Sequence, residues 1–173
     1  MNEPREPEIG VAPSRPLKLV DRDAIRDRIA SIAESARRDL VVFAPQMDAH
    51  FFNGASFSQA LRAFAISQRY NRARLLVEDA EQTLRDNDRL IGLCRRLSES
   101  LQLRQVGEEH VGLREMFIVA DRASYLYQPD VTAPECVVEP AGRKNAVKLI
   151  QRFEIMWDRS EPLPGFQTAG LVS

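Results

Sequence analysis

Apolar positions recur along this chain with two periods, one typical of helices and one typical of strands. A helical period begins after Asp21, a residue type favoured just before a first helical turn, and it returns in three later segments. The second helix has Ser56 as its predicted cap, the third has Asp86 or Asn87, and the last covers about 141–159. The inward positions of these four predicted helices are Ile25, Ile29, Ile32, Ala33 and Ala36; Phe57, Leu61, Phe64 and Ala65; Leu90, Cys94, Leu97 and Leu101; and Ala146, Leu149, Ile150, Phe153 and Trp157.

Short apolar runs between these helices predict buried strands. A continuous run of about five residues is too short for a helix and is typical of a strand covered on both faces. The order of elements, α-β-α-β-α-β-β-β-α, predicts an α/β fold with a mixed, mostly parallel sheet and helices on both faces. The predicted strands are Leu40–Ala44, Arg74–Glu78, Leu101–Val106, Met116–Ala120 and Ser124–Gln128, the last two forming a hairpin around Asp121-Arg122-Ala123.

Length and composition fit one domain. The 173 residues are 44% hydrophobic and 28% charged, which suffices for a single buried core. Residues 1–16 hold four of the ten prolines, mixed with Glu and Arg, and that composition disfavours a packed element. We therefore expect a disordered or loosely attached arm over 1–16, one α/β domain over 17–164 and a C-terminal tail over 165–173.

The chain shows the features of a cytoplasmic protein. No apolar run approaches the roughly 20 residues of a membrane helix, and the N-terminus lacks the apolar core of a signal peptide. Cys94 and Cys136 lie far apart, which excludes a disulfide framework and a CxxC motif. We expect a cytoplasmic location, no membrane contact and no cofactor.

The charge balance argues against a nucleic-acid partner. Basic residues number 24 and acidic residues 25, so the formal net charge is −1. All the basic residues except Lys18, Lys144 and Lys148 are arginine, the side chain that binds phosphate and carboxylate in a bidentate fork. The arginines are dispersed, so codon bias explains them as well as anion recognition does. Arg37 and Arg38 fit the last turn of the first predicted helix, where the helix dipole favours cations.

Motifs for common catalytic and metal sites are missing from the sequence. His50 and His110 are isolated in predicted loops, whereas a metal site needs three or more spaced ligands. No GxSxG, Walker or GxGxxG pattern occurs. The two histidines are therefore expected to be surface residues, and no metal site is predicted.

The segment from Gly112 to Arg122, with the hairpin after it and the long Trp-containing helix at the end, resembles one half of the phospholipase D superfamily. That superfamily carries HxKxxxxD, with His and Lys at the start of a strand and Asp at its end. Counting back from Asp121, Arg114 stands at the His position and Met116 at the Lys position. The family's His is a nucleophile that forms a phosphohistidine, and its Lys holds phosphate oxygens. Arginine cannot lose its proton and methionine has no charge, so the resemblance implies the fold without its catalytic pair.

The order of elements over about 21–164 and the ending Phe153–Ser160 also resemble an uncharacterised proteobacterial family. Its members are degenerate phospholipase D-like domains that occur alone or behind GNAT-type acetyltransferases. Members of the superfamily with one motif per chain pair as homodimers. The resemblance therefore implies a homodimer, and an acetyltransferase or another protein as partner.

These observations lead to one preferred function and two alternatives. We expect a non-catalytic phospholipase D-like module that binds a partner protein or an anionic ligand, either phosphate or carboxylate. A phosphodiesterase or nuclease with a rebuilt site, using His110, Glu115 and Asp121, stays open, as does a nucleic-acid-binding domain using the arginines. The candidate ligand-binding residues are Arg114, Asp121, Arg122, Tyr125 and Tyr127.

The location of a ligand follows from the predicted sheet. Open α/β sheets bind ligands beyond the carboxyl ends of their parallel strands, so an anion is expected there, held by Arg114 with Arg122 as a second candidate. The competing expectation is that Arg114 pairs with Glu115, Glu109 or Glu78. Tyr125 and Tyr127 share one strand face, where they either form a stacking platform for a base, cover the sheet, or form a docking patch for a second copy. Asp121 is also a residue type that favours turns by hydrogen bonding to nearby backbone.

Overall fold

A computed structural model describes residues 15–166 of the chain. Six helices are present there: α1 (Arg22–Ser35), α2 (Ala49–Phe52), α3 (Ala55–Ser67), α4 (Ala80–Asp86), α5 (Asp88–Arg96) and α6 (Arg143–Asp158), with a 3-10 turn at Glu108–His110. The strands are β1 (Leu17–Leu19), β2 (Asp39–Phe43), β3 (Arg72–Val77), β4 (Leu101–Gln105), β5 (Met116–Ala120), β6 (Ser124–Gln128), β7 (Cys136–Glu139) and β8 (Glu161–Pro162).

All eight strands form one sheet in the order β1-β7-β6-β5-β2-β3-β4-β8. The mixed sheet with helices on both faces is confirmed. The expectation that it is mostly parallel is wrong, because only β2–β3 and β3–β4 pair in parallel and the other five neighbouring pairs are antiparallel. The helices between β2, β3 and β4 provide parallel crossovers, whereas β5, β6 and β7 are joined by short connections that reverse direction.

The two sheet faces bury separate apolar clusters. One cluster contains inward residues of α1, α3 and α5, and the other contains inward residues of α6. Adjacent positions of β2 alternate between them, since Val42 belongs to the first cluster and Val41 to the second. Ile118 on β5 is fully buried at the centre of the sheet. A continuous apolar run is therefore the expected pattern for β2 and β5, as the sequence indicates.

Several predicted boundaries hold and several do not. Asp21 caps α1, and its carboxylate accepts a hydrogen bond from the Ala24 N–H. The predicted cap Ser56 is wrong, because α3 begins at Ala55 after Gly54. Asn87 occupies the cap position of α5, but its side-chain amide donates to the Met47 carbonyl instead of capping the helix. Arg37 and Arg38 do not lie in the last turn of α1, which ends at Ser35.

Some short elements have no counterpart in the predicted order. They are β1, α2, α4, β7, β8 and the 3-10 turn. The predicted arm over 1–16 and the predicted tail over 165–173 lie almost entirely outside the described residues, and the division of the chain stays a prediction. None of the described helices is both long enough and apolar enough to cross a bilayer.

Candidate functional site

The candidate ligand-binding residues lie at two opposite ends of the sheet. Strand β5 is antiparallel to β2, so Arg114, before β5, lies at the carboxyl end of the parallel strands, whereas Asp121, after β5, lies at their amino end. Six residues of mostly extended chain lie between the two, which separates them by roughly 20 Å. The structure therefore does not bring Arg114 and Asp121 into one pocket, and the alternative site built from His110, Glu115 and Asp121 is divided in the same way.

At the carboxyl end, the Arg114 guanidinium is exposed and held by neighbours. It donates to the Thr132 hydroxyl at 2.8 Å and to the Asp130 carboxylate at 3.3 Å. The expected alternative partners, Glu115, Glu109 and Glu78, are not its partners. Hydrogen bonds from Thr132 lower the pKa of Asp130, with a smaller effect of the Arg114 charge, so the carboxylate stays ionised and neutralises the arginine.

Met116 closes the wall of a small cavity at the same end. The side chain is 3% exposed, and the cavity has a volume of about 60 Å³, room for a few water molecules. Arg22 and Asp48 also line it and pair with each other at 2.9 Å. The other lining residues are Ala44, Pro45, Gln46, Met47, Phe51, Gln128 and Val131. No histidine, lysine, serine or cysteine is among these described residues, so the cavity has none of these nucleophiles.

At the amino end, Asp121 has a structural role that its turn position predicts in part. The Asp121 carboxylate accepts backbone N–H groups of Arg37 at 2.8 Å, Arg38 at 2.8 Å and Asp39 at 3.0 Å. Asp121 and Arg122 both have positive φ, 53° and 60°, and the Ala123 N–H bonds to the Ala120 carbonyl. The loop has three residues, Asp121 to Ala123, because Ala120 pairs with Ser124, and its first two residues adopt the left-handed conformation. Asp121 therefore joins the β5–β6 hairpin to the segment between α1 and β2.

Arg122 points its charge toward the α6 face of the sheet. The pKa of Glu154 on α6 is lowered, first by a hydrogen bond from Arg74 and also by the charge of Arg122. Arg74 in turn forms an ion pair with Glu154 and lies over the rings of Phe153 and Trp157. Arg122 is thus near an ion pair that is already satisfied by Arg74.

Tyr125 and Tyr127 lie beneath α6 and cover the sheet. Tyr125 is 4% exposed, and its hydroxyl donates to the Glu139 carboxylate, which also accepts from the Asn145 amide at 2.8 Å. Burial, with Glu139 beside it, raises the pKa of Tyr125 to about 12. The Tyr127 hydroxyl donates to Glu115 at 2.8 Å. Because α6 packs on this face, Tyr125 covers the sheet, while Tyr127 is half-buried. A stacking or docking role of the pair stays a prediction.

Glu115 is a buried carboxylate between the two positions where the motif would place His and Lys. It is 7% exposed, accepts the Tyr127 hydroxyl and forms an ion pair with Arg152 on α6. From the sequence, Glu115 is expected only as a partner for Arg114 or as part of a rebuilt site. An acid directly before an apolar strand was the available signal, but Arg152 lies 37 positions away and no local pattern connects them.

The two histidines lie in separate segments at the carboxyl end of the parallel strands. His50 on α2 pairs through Nε2 with the Asp23 carboxylate at 2.9 Å, and its ring is partly exposed. His110 lies in the 3-10 turn, and its Nε2 has no hydrogen-bond partner among the described residues. Within residues 15–166, no three or more His, Cys, Asp or Glu side chains are grouped so as to hold a metal ion.

One family model matches most of the chain. It is described as "Domain of unknown function (DUF7931)" and matches residues 21–168, so the chain belongs to this family. No curated protein matches the sequence.

Solved structures of low identity share the fold. The archaeal chromatin protein TrmBL2, which binds DNA, aligns with a TM-score of 0.62 and 12% identity over 90% of this chain, but this chain spans only 56% of TrmBL2. Nuc from Salmonella typhimurium, a phospholipase D family member, aligns with a TM-score of 0.59 and 13% identity. The alignment covers 85% of this chain and 97% of Nuc. NucT from Helicobacter pylori aligns with a TM-score of 0.60 and 9% identity, over 86% of this chain and 98% of NucT. The phospholipase D-like fold expected from the sequence is therefore confirmed, while the link to acetyltransferases stays a prediction.

Proposed function

We propose that this member of the DUF7931 family is a non-catalytic module of the phospholipase D-like fold that binds an anionic ligand. The observation that carries the proposal is the state of Arg114 and Met116. They stand where the motif requires a nucleophile and a phosphate clamp, and one is neutralised by Asp130 while the other is buried in a cavity wall.

The chemistry of these two side chains argues against phosphodiester cleavage. A nucleophile must lose its proton to attack phosphorus, and arginine stays protonated in proteins. Met116 offers no charge to stabilise the oxygens of a transition state. The cavity of about 60 Å³ is also far smaller than the 300 Å³ or so at which ligand pockets begin.

The binding half of the proposal favours an anion over a partner protein. The basic residues are nearly all arginine, and some of them lie at the amino end of the sheet without a carboxylate partner among the described residues. That TrmBL2 binds DNA is consistent with a phosphate-bearing ligand on this fold. A homodimer and an acetyltransferase partner stay further proposals, which sedimentation of the purified chain and co-purification address.

The catalytic half is tested by hydrolysis of bis(p-nitrophenyl) phosphate. We expect wild-type protein to release nitrophenol no faster than buffer. A matched variant, His50→Gln/His110→Gln, removes both imidazoles of the chain, including His110 of the rebuilt site. Saturable turnover by the wild type that this variant loses would show a working phosphodiesterase.

The binding half is tested by thermal unfolding with phosphate, pyrophosphate and nucleotides. A ligand that binds only the folded chain raises the midpoint in a concentration-dependent way. We expect a rise with at least one of these anions, retained in Arg114→Gln because Arg114 is already paired with Asp130. No rise with any of them would favour a protein partner instead.

A further inference from the structure

We propose that the groove between the α1–β2 loop and the α3–β3 loop binds single-stranded nucleic acid, with phosphates on Arg37 and Arg38 and a base on Tyr70. The inference rests on the binding half of the proposed function and gives that anion a place and a chemical class. It moves the site from the carboxyl end of the sheet, where the sequence predicted it, to the amino end.

The groove has the size and the lining of a binding site for an extended anion. Its volume is about 760 Å³, and it opens to solvent between the two loops. Arg37, Arg38 and Tyr70 line it together with Asp39, Ser67, Gln68 and Asn71. Tyr70 is 81% exposed, an unusual exposure for an aromatic side chain.

The arginine charges of this groove are free. Neither the Arg37 nor the Arg38 side chain makes an ion pair or hydrogen bond with any described residue, and both are exposed. The Arg69 side chain, next to Tyr70, is also exposed and unpaired among residues 15–166, and the Arg72 guanidinium donates only to the carbonyls of Arg69 and Asn71. Asp39 is the one carboxylate among the lining residues of the groove, so its local charge is positive although the net charge of the chain is −1.

Both walls of the groove are fixed before a ligand arrives. The three N–H groups from Arg37 to Asp39 are held by Asp121, and this carboxylate is therefore satisfied by backbone rather than by a guanidinium. Asn71, which is 3% exposed, holds the other wall by donating to the Phe64 carbonyl and the Ser67 hydroxyl. Fixed walls reduce the conformational entropy that is lost when a ligand binds.

This combination selects single-stranded nucleic acid among anionic ligands. Guanidinium groups bind phosphate oxygens in a bidentate manner, and an exposed aromatic ring beside them offers a face on which a base stacks. A double helix keeps its bases stacked inside, so Tyr70 would contribute nothing to binding it. Inorganic polyphosphate would use the arginines and leave Tyr70 unused.

The test is fluorescence anisotropy of a labelled twelve-residue oligothymidylate with the full chain at low salt. We expect saturable binding that weakens at least tenfold in Arg37→Gln/Arg38→Gln. The slope of the logarithm of the binding constant against the logarithm of salt concentration should become shallower by about 1.4 in this variant, since two phosphate contacts are lost. Tyr70→Ala should weaken binding about fivefold or more, while Tyr70→Phe should retain it. The matched control is Arg85→Gln/Arg89→Gln, which removes the same charge from the α4–α5 region.

Three results would overturn the inference. They are no binding of the oligonucleotide, an equal loss in the Arg85→Gln/Arg89→Gln control, and an unchanged affinity in Tyr70→Ala together with equal binding of a duplex or of polyphosphate. Unfolding midpoints within two degrees or so of wild type confirm that each variant is folded. If the oligonucleotide fails to bind while another anion raises the unfolding midpoint, the inference falls and the proposed function stands.

Discussion

The Asp121 carboxylate accepts the backbone N–H of Arg37 at 2.8 Å, although 84 positions of chain separate the two residues. The same carboxylate holds the next two N–H groups, so one side chain satisfies a whole segment of backbone between α1 and β2. When HxKxxxxD is placed on the sequence so that it ends at Asp121, this aspartate is the one of its three marked positions that matches. The contacts of Asp121 explain an aspartate at this position without any catalytic role.

Removing the Asp121 carboxylate should destabilise the fold. Asp121→Ala leaves three backbone N–H groups without their acceptor and places alanine at a φ of 53°, so we expect a loss of about 2–3 kcal/mol in the free energy of unfolding. Asp121→Asn keeps an acceptor oxygen and a residue type that tolerates positive φ, so it should lose less. Urea unfolding followed by circular dichroism measures both, and a loss below about 0.5 kcal/mol for the alanine variant would contradict this role.

Replacing Arg122, the residue after Asp121, with glycine should stabilise the fold. Arg122 has a φ of 60°, which costs energy for a residue with a Cβ, and its charge is not needed by the Arg74–Glu154 ion pair. Arg122→Gly should therefore raise the free energy of unfolding by about 0.5–1 kcal/mol. Ala123→Gly, at a position without positive φ, is the control and should lower it. A destabilised Arg122→Gly variant would show that Arg122 makes contacts that outweigh its backbone conformation.

The Glu115–Arg152 pair should contribute strongly to stability, since Glu115 is buried at the start of the central strand β5. Arg152→Met leaves a carboxylate that is 7% exposed with only the Tyr127 hydroxyl as partner. An unpaired buried charge is costly, so we expect a loss of roughly 2–4 kcal/mol. The double variant Arg152→Met/Glu115→Gln removes the charge as well and should recover part of the loss. Equal stability of the two variants would mean that Glu115 is hydrated in the native state.

Both cysteines should be unreactive in the folded chain. Cys94 and Cys136 are each 0% exposed, and burial raises the pKa of Cys94 to about 12 and that of Cys136 to about 11. Because the thiolate is the reactive form, Ellman's reagent at pH 8 should react slowly with native protein and titrate two thiols after unfolding. Rapid reaction of the folded chain would contradict the burial of these thiols in the core around α5 and β7.

The same thiols predict how stability depends on alkaline pH. Their folded-state pKa values lie above the ordinary value of about 8.5, so the unfolded chain loses these protons first. The free energy of unfolding is thus unaffected below about pH 8 and falls as the pH rises toward 12. In denaturant melts, the double variant Cys94→Ala/Cys136→Ala should lose less of its free energy of unfolding at alkaline pH than the wild type. An unchanged pH profile in this variant would contradict a contribution of the two thiols.

Local patterns in the sequence predict the centre of the sheet well. The run Met116–Ala120 and the hairpin after it are observed with the predicted bounds, because a strand buried on both faces needs apolar residues at successive positions. The elements that were missed are short. Helix α2 has four residues and shows no period, and β7 lies in a stretch broken by prolines, although it pairs with both β1 and β6.

The candidate sites were less predictable, because they depend on contacts between distant segments. Arg114 was expected to meet an anion or a nearby glutamate, but the chain after β6 turns back and places Asp130 against it. The groove at the amino end combines Arg37 and Arg38 with Tyr70, a residue that no local pattern marks as functional. A net charge of −1 hides this local excess of positive charge, since acids elsewhere in the chain balance it.

The most direct test of whether the chain is non-catalytic is to recover the oligonucleotide after binding and to measure its length. End-labelled oligothymidylate is incubated with the wild-type chain for many hours, separated from the protein under denaturing conditions and resolved by length, with His50→Gln/His110→Gln treated in parallel. A non-catalytic module leaves the label entirely in the full-length strand. Shorter products that form with the wild type and are absent with the double variant would contradict the account.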